Sequence, residues 1–146
     1  MLFAADAMLG KLARWLRIMG YDTSYTPGLN DSELMSLASA EGRIILTRDK
    51  ELFERATKKG IGSIFIKSLS ISSELDELSS FLKEKPEGSR CPLCNTLLQQ
   101  LNRSEINSIE VPKINPIWLC NKCGKVYWHG SHWKRITETL RVLYNW

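Results

Sequence analysis

The sequence lacks any long apolar run, and this absence limits the classes of protein to which it can belong. No stretch approaches the ~18 consecutive apolar residues of a transmembrane helix, so we expect no membrane partner. The opening residues MLFAADAML contain an acid and have no basic segment before the apolar run, which makes them a poor signal peptide. No internal repeat or low-complexity tract is present. We therefore expect a cytoplasmic globular protein.

Chain length and charge set two further limits. A chain of 146 residues forms one domain, or one domain with a small appendage, and can bury a core without a disulfide or metal. The net charge of +4 lies entirely in residues 86–146, because residues 1–85 hold equal numbers of acidic and basic side chains. A neutral body followed by a basic segment suits a polyanion such as nucleic acid, although a small positive excess also serves solubility alone.

Apolar strands alternate with amphipathic helices through the first part of the chain. The expected strands are LFAA, DTSYT, RIILT and SIFIK, and the helices carry apolar residues at i, i+3 and i+4 spacing. In LNDSELMSLASAEG, Asn30 is the expected N-cap and Glu33 its capping-box partner. Strands joined by helices of this length are parallel, which predicts an α/β layered sandwich around a central parallel sheet.

A change of composition divides the chain after this body. The sequence PEGS marks a boundary, and a less regular segment that contains the cysteines follows it. We predict an α/β domain over residues 1–85, a metal-binding subdomain over residues 86–130 and a helix over residues 131–146. The apolar residues expected to dock that helix on the body are Ile136, Leu140, Val142 and Leu143.

The cysteines form two pairs with the same spacing, CPLC and CNKC. Each C-x-x-C turn can present two thiolates to one tetrahedral ion, and two such turns complete a closed site with no coordination position left for catalysis. Two disulfides would conflict with a cytoplasmic protein, and a redox motif would stand alone at the start of a helix. We therefore predict a zinc ribbon with structural Zn²⁺. Its ligands are Cys91, Cys94, Cys120 and Cys123.

Three aspartates fall at the carboxyl edge of the predicted sheet, where α/β proteins collect their chemistry. Asp6 follows the first strand, Asp49 follows the third, and Asp31 opens the helix after the second. With strand order 2-1-3-4, Asp6 and Asp49 would lie close together, and their oxygens suit Mg²⁺ or Mn²⁺, which can activate water at a phosphodiester. The alternative is that Asp31 and Asp49 only cap helices, the more frequent use of aspartate there. The acids expected to be structural or solvated are Glu33, Asp22 and Glu51.

Basic and aromatic side chains recur in two places. Lys11, Arg14 and Arg17 follow the first strand at every third residue, and such a stripe can hold a nucleic-acid backbone or simply face solvent. Trp15, between the arginines, is expected to pack in the core. The ending VYWHGSHWKR interleaves aromatic and basic groups, which suits single-stranded nucleic acid or, alternatively, a plug between the ribbon and the body.

Taken together, these segments resemble the Mut-7 C-terminal RNase domain family. The resemblance rests on FAADAMLGKLARWLRIMGYDTSY, NDSELMSLASAEGRIILTRDKEL, the paired CPLC and CNKC, and VYWHGSHWKR, in that order over nearly the whole chain. It implies a PIN-like nuclease domain with a C-terminal zinc ribbon. The acids of such a nuclease correspond to Asp6, Asp31 and Asp49, with Glu33 or Glu51 as a fourth. The arginines at positions characteristic of the family are Arg14, Arg17 and Arg48.

The sequence thus predicts a PIN-like ribonuclease whose three aspartates hold Mg²⁺ or Mn²⁺. The three arginines are expected to contact RNA phosphates, and the basic zinc ribbon is expected to aid RNA binding. The alternative is a non-catalytic RNA-binding protein in which the same acids are helix caps. A phospho-signalling receiver also has acids after strands one and three, but the acidic pair and the strand-end lysine of that fold are not evident here.

Overall fold

The computed structural model describes residues 1–106 and 116–144, apart from the side chains of residues 103, 131–133, 135 and 143. Seven strands and five α-helices lie in these ranges. In chain order they are β1 (Leu2–Ala5), α1 (Gly10–Ile18), β2 (Asp22–Tyr25), α2 (Asp31–Glu41), β3 (Ile44–Thr47), α3 (Lys50–Lys58), β4 (Ser63–Phe65), α4 (Ile71–Leu78), β5 (Gln99–Leu101), β6 (Ile117–Leu119), β7 (Val126–Trp128) and α5 (Ser131–Tyr144). Single 3₁₀ turns cover Ala7–Leu9 and Arg103–Glu105.

The first four strands form one parallel sheet in the order β2-β1-β3-β4. The expected proximity of Asp6 and Asp49 depends on this strand order, and the structure confirms the order. The register pairs Ala5 of β1 with Leu46 of β3, so the two central strands end side by side at the same edge. Because the strands are parallel, the residues that follow them collect at that edge.

Helices cover both faces of this sheet. Side chains alternate along β1, so that Phe3 and Ala5 join α1, α4 and α5 in one buried cluster, while Ala4 joins α2 and α3 in another. Phe3 and Ala4 are fully buried. The prediction of a layered α/β fold around a parallel sheet is therefore confirmed, whereas its PIN-like character stays a prediction. Among the described helices, none has both the length and the apolar character needed to cross a membrane.

Local sequence explains how two of the helices begin and end. Asn30 accepts a hydrogen bond from the Glu33 amide at 2.9 Å, and Glu33 accepts one from the Asn30 amide at 2.8 Å, which confirms the predicted capping box. Gly20 follows α1 with a φ of +100°, and a β-carbon there would lie 2.4 Å from the carbonyl oxygen of Gly88. Glycine is therefore required where the body meets the segment that leads to the cysteines.

A second, antiparallel sheet has the order β5-β6-β7. Together with the two C-x-x-C turns, it forms the unit that we call the ribbon, which covers the described residues 90–106 and 116–128. The Arg90 amide donates to the carbonyl oxygen of Arg17 at 2.8 Å, which attaches the start of the ribbon to the end of α1. The domain limits predicted from composition stay predictions.

Helix α5 packs on the α/β body through two of its apolar residues. Ile136 and Leu140 are buried in the cluster that contains α1 and α4, and the Tyr144 hydroxyl donates to the carbonyl oxygen of Leu75 at 2.6 Å. The expectation that Val142 also docks is wrong, because its side chain is 82% exposed. The side chain of Leu143 lies outside the described residues.

Candidate active edge and metal centre

The two C-x-x-C turns bring all four cysteine sulfurs within 4.8 Å of one another. Sγ of Cys91 lies 3.6 Å from Sγ of Cys123, and Sγ of Cys94 lies 3.3 Å from Sγ of Cys120. Zinc–sulfur bonds of about 2.3 Å in a tetrahedron place the sulfurs about 3.8 Å apart, whereas a disulfide requires about 2.05 Å. The thiols are therefore free and their arrangement fits a metal ion such as zinc.

The backbone of each turn has the same construction. The Asn95 amide donates to the carbonyl oxygen of Cys91 at 2.9 Å, and the Gly124 amide donates to that of Cys120 at 2.8 Å. Asn95 and Gly124 both adopt the left-handed conformation, with φ of 67° and 69°. Hydrogen bonding to Thr96 lowers the pKa of Cys94 to about 6, which favours the thiolate that a metal requires.

At the edge of the parallel sheet, Asp6 is held by hydrogen bonds from both central strands. Its amide donates to the carbonyl oxygen of Leu46 at 2.9 Å, which extends the pairing of β1 with β3 by one residue. Its Oδ1 accepts from the Ala7 amide at 2.7 Å, and its Oδ2 accepts from the Thr47 hydroxyl at 2.8 Å. Asp6 is half-buried, so the carboxylate is fixed in orientation and still reaches solvent.

Asp49 is connected to Asp6 through the same threonine. Its amide donates to Oγ1 of Thr47 at 2.9 Å, so one buried hydroxyl contacts both acidic residues. The Asp49 carboxylate also caps α3, since Oδ1 accepts from the Glu51 and Leu52 amides at 2.8 and 3.2 Å. Asp49 therefore does cap a helix, which is the alternative role that the sequence leaves open for it. Capping fixes one oxygen of this exposed carboxylate, and the backbone amide of the same residue shares Thr47 with Asp6.

Asp31 occupies the first position of α2 and pairs with a basic side chain. Its Oδ2 lies 3.3 Å from Nη1 of Arg55 on α3. In the described part of the chain, the cysteines are the only group of three or more potential ligands within 4.8 Å, so the oxygens of the three aspartates do not converge to that distance. Mg²⁺ keeps several waters and needs only one or two carboxylates. The pair Asp6 and Asp49 therefore still fits such an ion by the chemistry of its donors.

The arginines of α1 have different environments. Arg14 is exposed, whereas Arg17 is only 4% exposed. Nε of Arg17 donates to the carbonyl oxygen of Thr23 at 2.8 Å, and Nη1 donates to those of Pro92 and Leu93 at 2.9 and 3.2 Å. Burial lowers the pKa of Arg17. This guanidinium links α1 and β2 to the first cysteine turn, and its contact with RNA stays a prediction.

The third predicted RNA contact, Arg48, lies between β3 and Asp49 and pairs with Glu74 of α4. The side chain of Glu74 is 6% exposed and that of Arg48 is 20% exposed. Nε of Arg48 is buried and has no hydrogen-bond partner among the described residues. The arginine therefore joins the edge of the sheet to α4, and its contact with a phosphate stays a prediction.

Sequence reasoning missed the role of Asp22, which was expected to be solvated. Its carboxylate accepts from Nη1 of Arg43 at 2.7 Å and from Nδ2 of Asn95 at 2.8 Å, and it lies 3.5 Å from Nη1 of Arg90. Burial alone would raise its pKa, but the hydrogen bonds from Arg43 and Asn95 outweigh burial and lower it. Asp22 thus binds β2 to the ribbon. No local signal indicates this, because Asn95 is 73 positions away.

The fold and its centres define a class of protein. It is an α/β protein with aspartates at the carboxyl edge of a parallel sheet, joined to a small β unit that carries four convergent thiols. The chain belongs to the Mut7-C RNAse domain family, whose family model matches residues 1–140. This membership confirms the resemblance inferred from the motifs and implies a nuclease-like role. Comparisons with curated proteins and with solved structures found no match.

Proposed function

We propose that the protein is a PIN-like, divalent-metal-dependent ribonuclease that hydrolyses RNA phosphodiester bonds at the carboxyl edge of its parallel sheet. The observation that carries this proposal is the hydrogen-bonded connection from Asp6 through Thr47 to Asp49 on two adjacent strands. Membership of the RNAse-domain family supports it. Carboxylates that gather at one edge of a sheet repel each other, and a bound cation offsets this repulsion.

In this proposal Asp6 and Asp49 are the principal ligands of Mg²⁺ or Mn²⁺, and Asp31 contributes after release from Arg55. When bound, the metal supplies the activation of water and the stabilisation of charge at the phosphodiester. Thr47 orients Asp6 by donating to one of its oxygens, and the first turn of α3 orients Asp49. The zinc ribbon is then a structural unit that aids RNA binding.

A non-catalytic RNA-binding protein is the second candidate, and two contacts favour it. Asp49 caps α3 and Asp31 pairs with Arg55, so both have structural roles that require no metal. Metal-dependent cleavage at the acidic edge distinguishes the two functions, because only the ribonuclease requires it.

The test is cleavage of labelled single-stranded and structured RNAs with added Mg²⁺ or Mn²⁺, with the zinc content of each preparation checked. Asp6→Asn keeps the size of the side chain and removes its charge, and Asp76→Asn removes an exposed charge on α4 as the matched control. We expect Asp6→Asn to lose about 100-fold or more in rate, the order found when one electrostatic stabiliser is removed. Asp76→Asn should cleave like the wild type.

Equal activity in the wild type and Asp6→Asn would contradict the proposal and point to a contaminating nuclease. RNA binding without cleavage, unchanged in Asp6→Asn, would favour the non-catalytic protein.

A further inference from the structure

A groove of about 730 Å³ lies between α1 and the ribbon, and α5 contributes to one side. Its volume is within the range of pockets that hold small molecules and nucleotides. The groove belongs neither to the cysteine centre nor to the acidic edge. Five aromatic side chains line it, namely Trp15, Tyr25, Trp118, Tyr127 and Trp128.

The aromatic walls are held in place by contacts outside the groove. The Tyr127 hydroxyl lies 3.2 Å from Sγ of Cys91, so this side chain contacts the cysteine cluster. The rings of Trp118 and His129 stack with centroids 4.4 Å apart. Trp128 keeps 40% of its surface exposed, although an indole is usually buried. The ribbon therefore presents aromatic surface, part of it open to solvent.

All described charged side chains that line the groove are basic. Lys11 and Arg14 of α1 and Lys125 of the ribbon line it, and all three are exposed. The described lining residues include no carboxylate, and no ion pair to another described residue neutralises these cations. Aromatic faces next to unneutralised cations match the two parts of a nucleotide, its base and its phosphate.

The lining of the groove is connected by hydrogen bonds to the segment that carries Asp6. Gly10 and Tyr25 belong to the lining, and the Tyr25 hydroxyl donates to the carbonyl oxygen of Ala7 at 2.9 Å. The Ala7 amide in turn donates to Oδ1 of Asp6 at 2.7 Å. A β-carbon on Gly10 would lie 2.7 Å from the Tyr25 hydroxyl, so glycine allows this close approach. Two hydrogen bonds through Ala7 therefore connect the groove lining to the Asp6 carboxylate.

We propose that this groove binds unpaired nucleotides of an RNA strand, with a base stacked on Trp128 and phosphates on Arg14, Lys11 and Lys125. The inference rests on the proposed function, because it specifies that the RNA cleaved at the acidic edge is unpaired where it binds the groove. An A-form duplex keeps its bases stacked inside the helix, so only an unpaired segment offers a base face to the indole. The connection of the lining to the Asp6 segment favours a strand that also reaches the acidic edge over a free mononucleotide.

The experiment measures binding separately from cleavage. Fluorescein-labelled oligouridylate and an RNA duplex of the same length are titrated with the full, zinc-loaded chain, without added Mg²⁺ or Mn²⁺, and anisotropy is recorded over a range of salt. The variants are Trp128→Ala, Trp128→Phe, Arg14→Ala and Lys125→Ala. Lys58→Ala, an exposed cation on α3 outside the groove, is the control. Zinc content and circular dichroism of each variant establish that it has folded.

We expect the single strand to bind at least about ten-fold tighter than the duplex, because only the single strand stacks on the indole. Trp128→Ala should weaken binding at least about five-fold, and Trp128→Phe should restore most of it. Arg14→Ala and Lys125→Ala should each lower the slope of log K against log salt by about 0.7, the value for one phosphate contact on a single strand. Lys58→Ala should change neither quantity.

Equal affinity for duplex and single strand, or unchanged binding by folded Trp128→Ala, would overturn the inference. So would uridine monophosphate that binds as tightly as the oligonucleotide, since the groove would then be a mononucleotide site. Failure of the groove and failure of the proposed ribonuclease give different results, because binding and cleavage are measured separately. If the groove variants lose binding and no RNA is ever cleaved, the ribonuclease fails and the groove stands. If RNA is cleaved and the groove variants bind and cleave normally, only the groove fails.

Discussion

The hydroxyl of Thr47 donates a 2.8 Å hydrogen bond to Oδ2 of Asp6 and so joins the ends of the two central strands. The same oxygen accepts a hydrogen bond from the Asp49 amide at 2.9 Å. Thr47 is fully buried, whereas the Asp6 carboxylate that it orients is half-buried and reaches solvent. One side chain that carries no charge therefore contributes to the relative position of the two acidic residues.

Removal of this hydroxyl tests the connection. Thr47→Val keeps the shape of the side chain and removes two hydrogen bonds whose other partners lie near solvent, so we expect a cost of about 0.5–1.5 kcal/mol in unfolding free energy. We expect a lower kcat for RNA cleavage with little change in KM, because Thr47 acts through Asp6. Thr47→Ser keeps the hydroxyl and should restore most of the rate. A Thr47→Val protein that cleaves at the wild-type rate would show that this bond does not position Asp6.

The ribbon should require its metal ion. We expect one zinc per chain by mass spectrometry under native conditions, and its loss on Cys91→Ser or Cys120→Ser, because these thiols are fully buried in the cluster. Zinc removal should abolish groove binding of RNA, since Tyr127 contacts Cys91. Thiol titration gives the control: the thiols should react only after the metal is removed. An intact mass lowered by the hydrogens lost in disulfides would contradict the prediction.

The two arginines of α1 should separate stability from binding. Arg17→Ala removes a buried guanidinium that donates to carbonyl groups of β2 and the first cysteine turn, and we expect it to lower the unfolding free energy by about 1.5–3 kcal/mol. Arg14→Ala, a matched change on the exposed face, should alter it by no more than about 0.5 kcal/mol. Chemical denaturation measures both. Equal destabilisation by the two changes would contradict the assignment of Arg17 as a structural link.

Local patterns were sufficient for the parts of the fold that depend on neighbours in sequence. The alternation of strands and helices predicted the parallel sheet, and the spacing of Asn30 and Glu33 predicted a capping box. The C-x-x-C pairs predicted convergent thiols because each turn fixes its own geometry. In each case the partners are close in the chain, or the ligand chemistry itself dictates the pairing.

Contacts between distant segments could not be read in this way. The three-residue spacing of basic side chains on α1 fits solvent or RNA equally well, but the carbonyl group that binds Arg17 belongs to Pro92, 75 positions later. Asp22 resembles any polar residue at the start of an edge strand, and its partner Asn95 belongs to the ribbon. Such partners can be identified only from a structure that places the ribbon against the α/β domain.

Asp22 gives a prediction about pH. Its pKa in the folded protein lies below its ordinary value because the hydrogen bonds from Arg43 and Asn95 outweigh burial. Ionised Asp22 therefore stabilises the folded protein at pH values above about 3.9, the pKa of aspartate in the unfolded chain. This stabilisation is lost as the pH falls through the pKa of Asp22 in the folded protein. The urea midpoint of Asp22→Asn should therefore lie below that of the wild type at neutral pH and approach it in acid. A difference that stays constant with pH would contradict this account.

The final prediction concerns Arg48 and Glu74, whose ion pair joins the loop after β3 to α4. Glu74→Ala leaves a largely buried guanidinium without its partner, and we expect a loss of about 3–5 kcal/mol in unfolding free energy. Replacing both partners, as Arg48→Met with Glu74→Leu, should recover most of this loss, because apolar side chains of similar volume remove the need for pairing. Denaturation of the single variants Arg48→Met and Glu74→Leu and of the double variant gives the cycle.

The double variant also decides between the two roles of Arg48. A phosphate contact would be lost together with the guanidinium, and the salt slope of RNA binding would fall by about 0.7. An unchanged slope would show that the guanidinium, which pairs with a buried carboxylate and is itself only 20% exposed, acts in the fold alone. A reduced slope in a double variant of restored stability would instead assign Arg48 to RNA binding. The stability measurement is needed for this conclusion, since an unfolded loop after β3 would also displace Asp49.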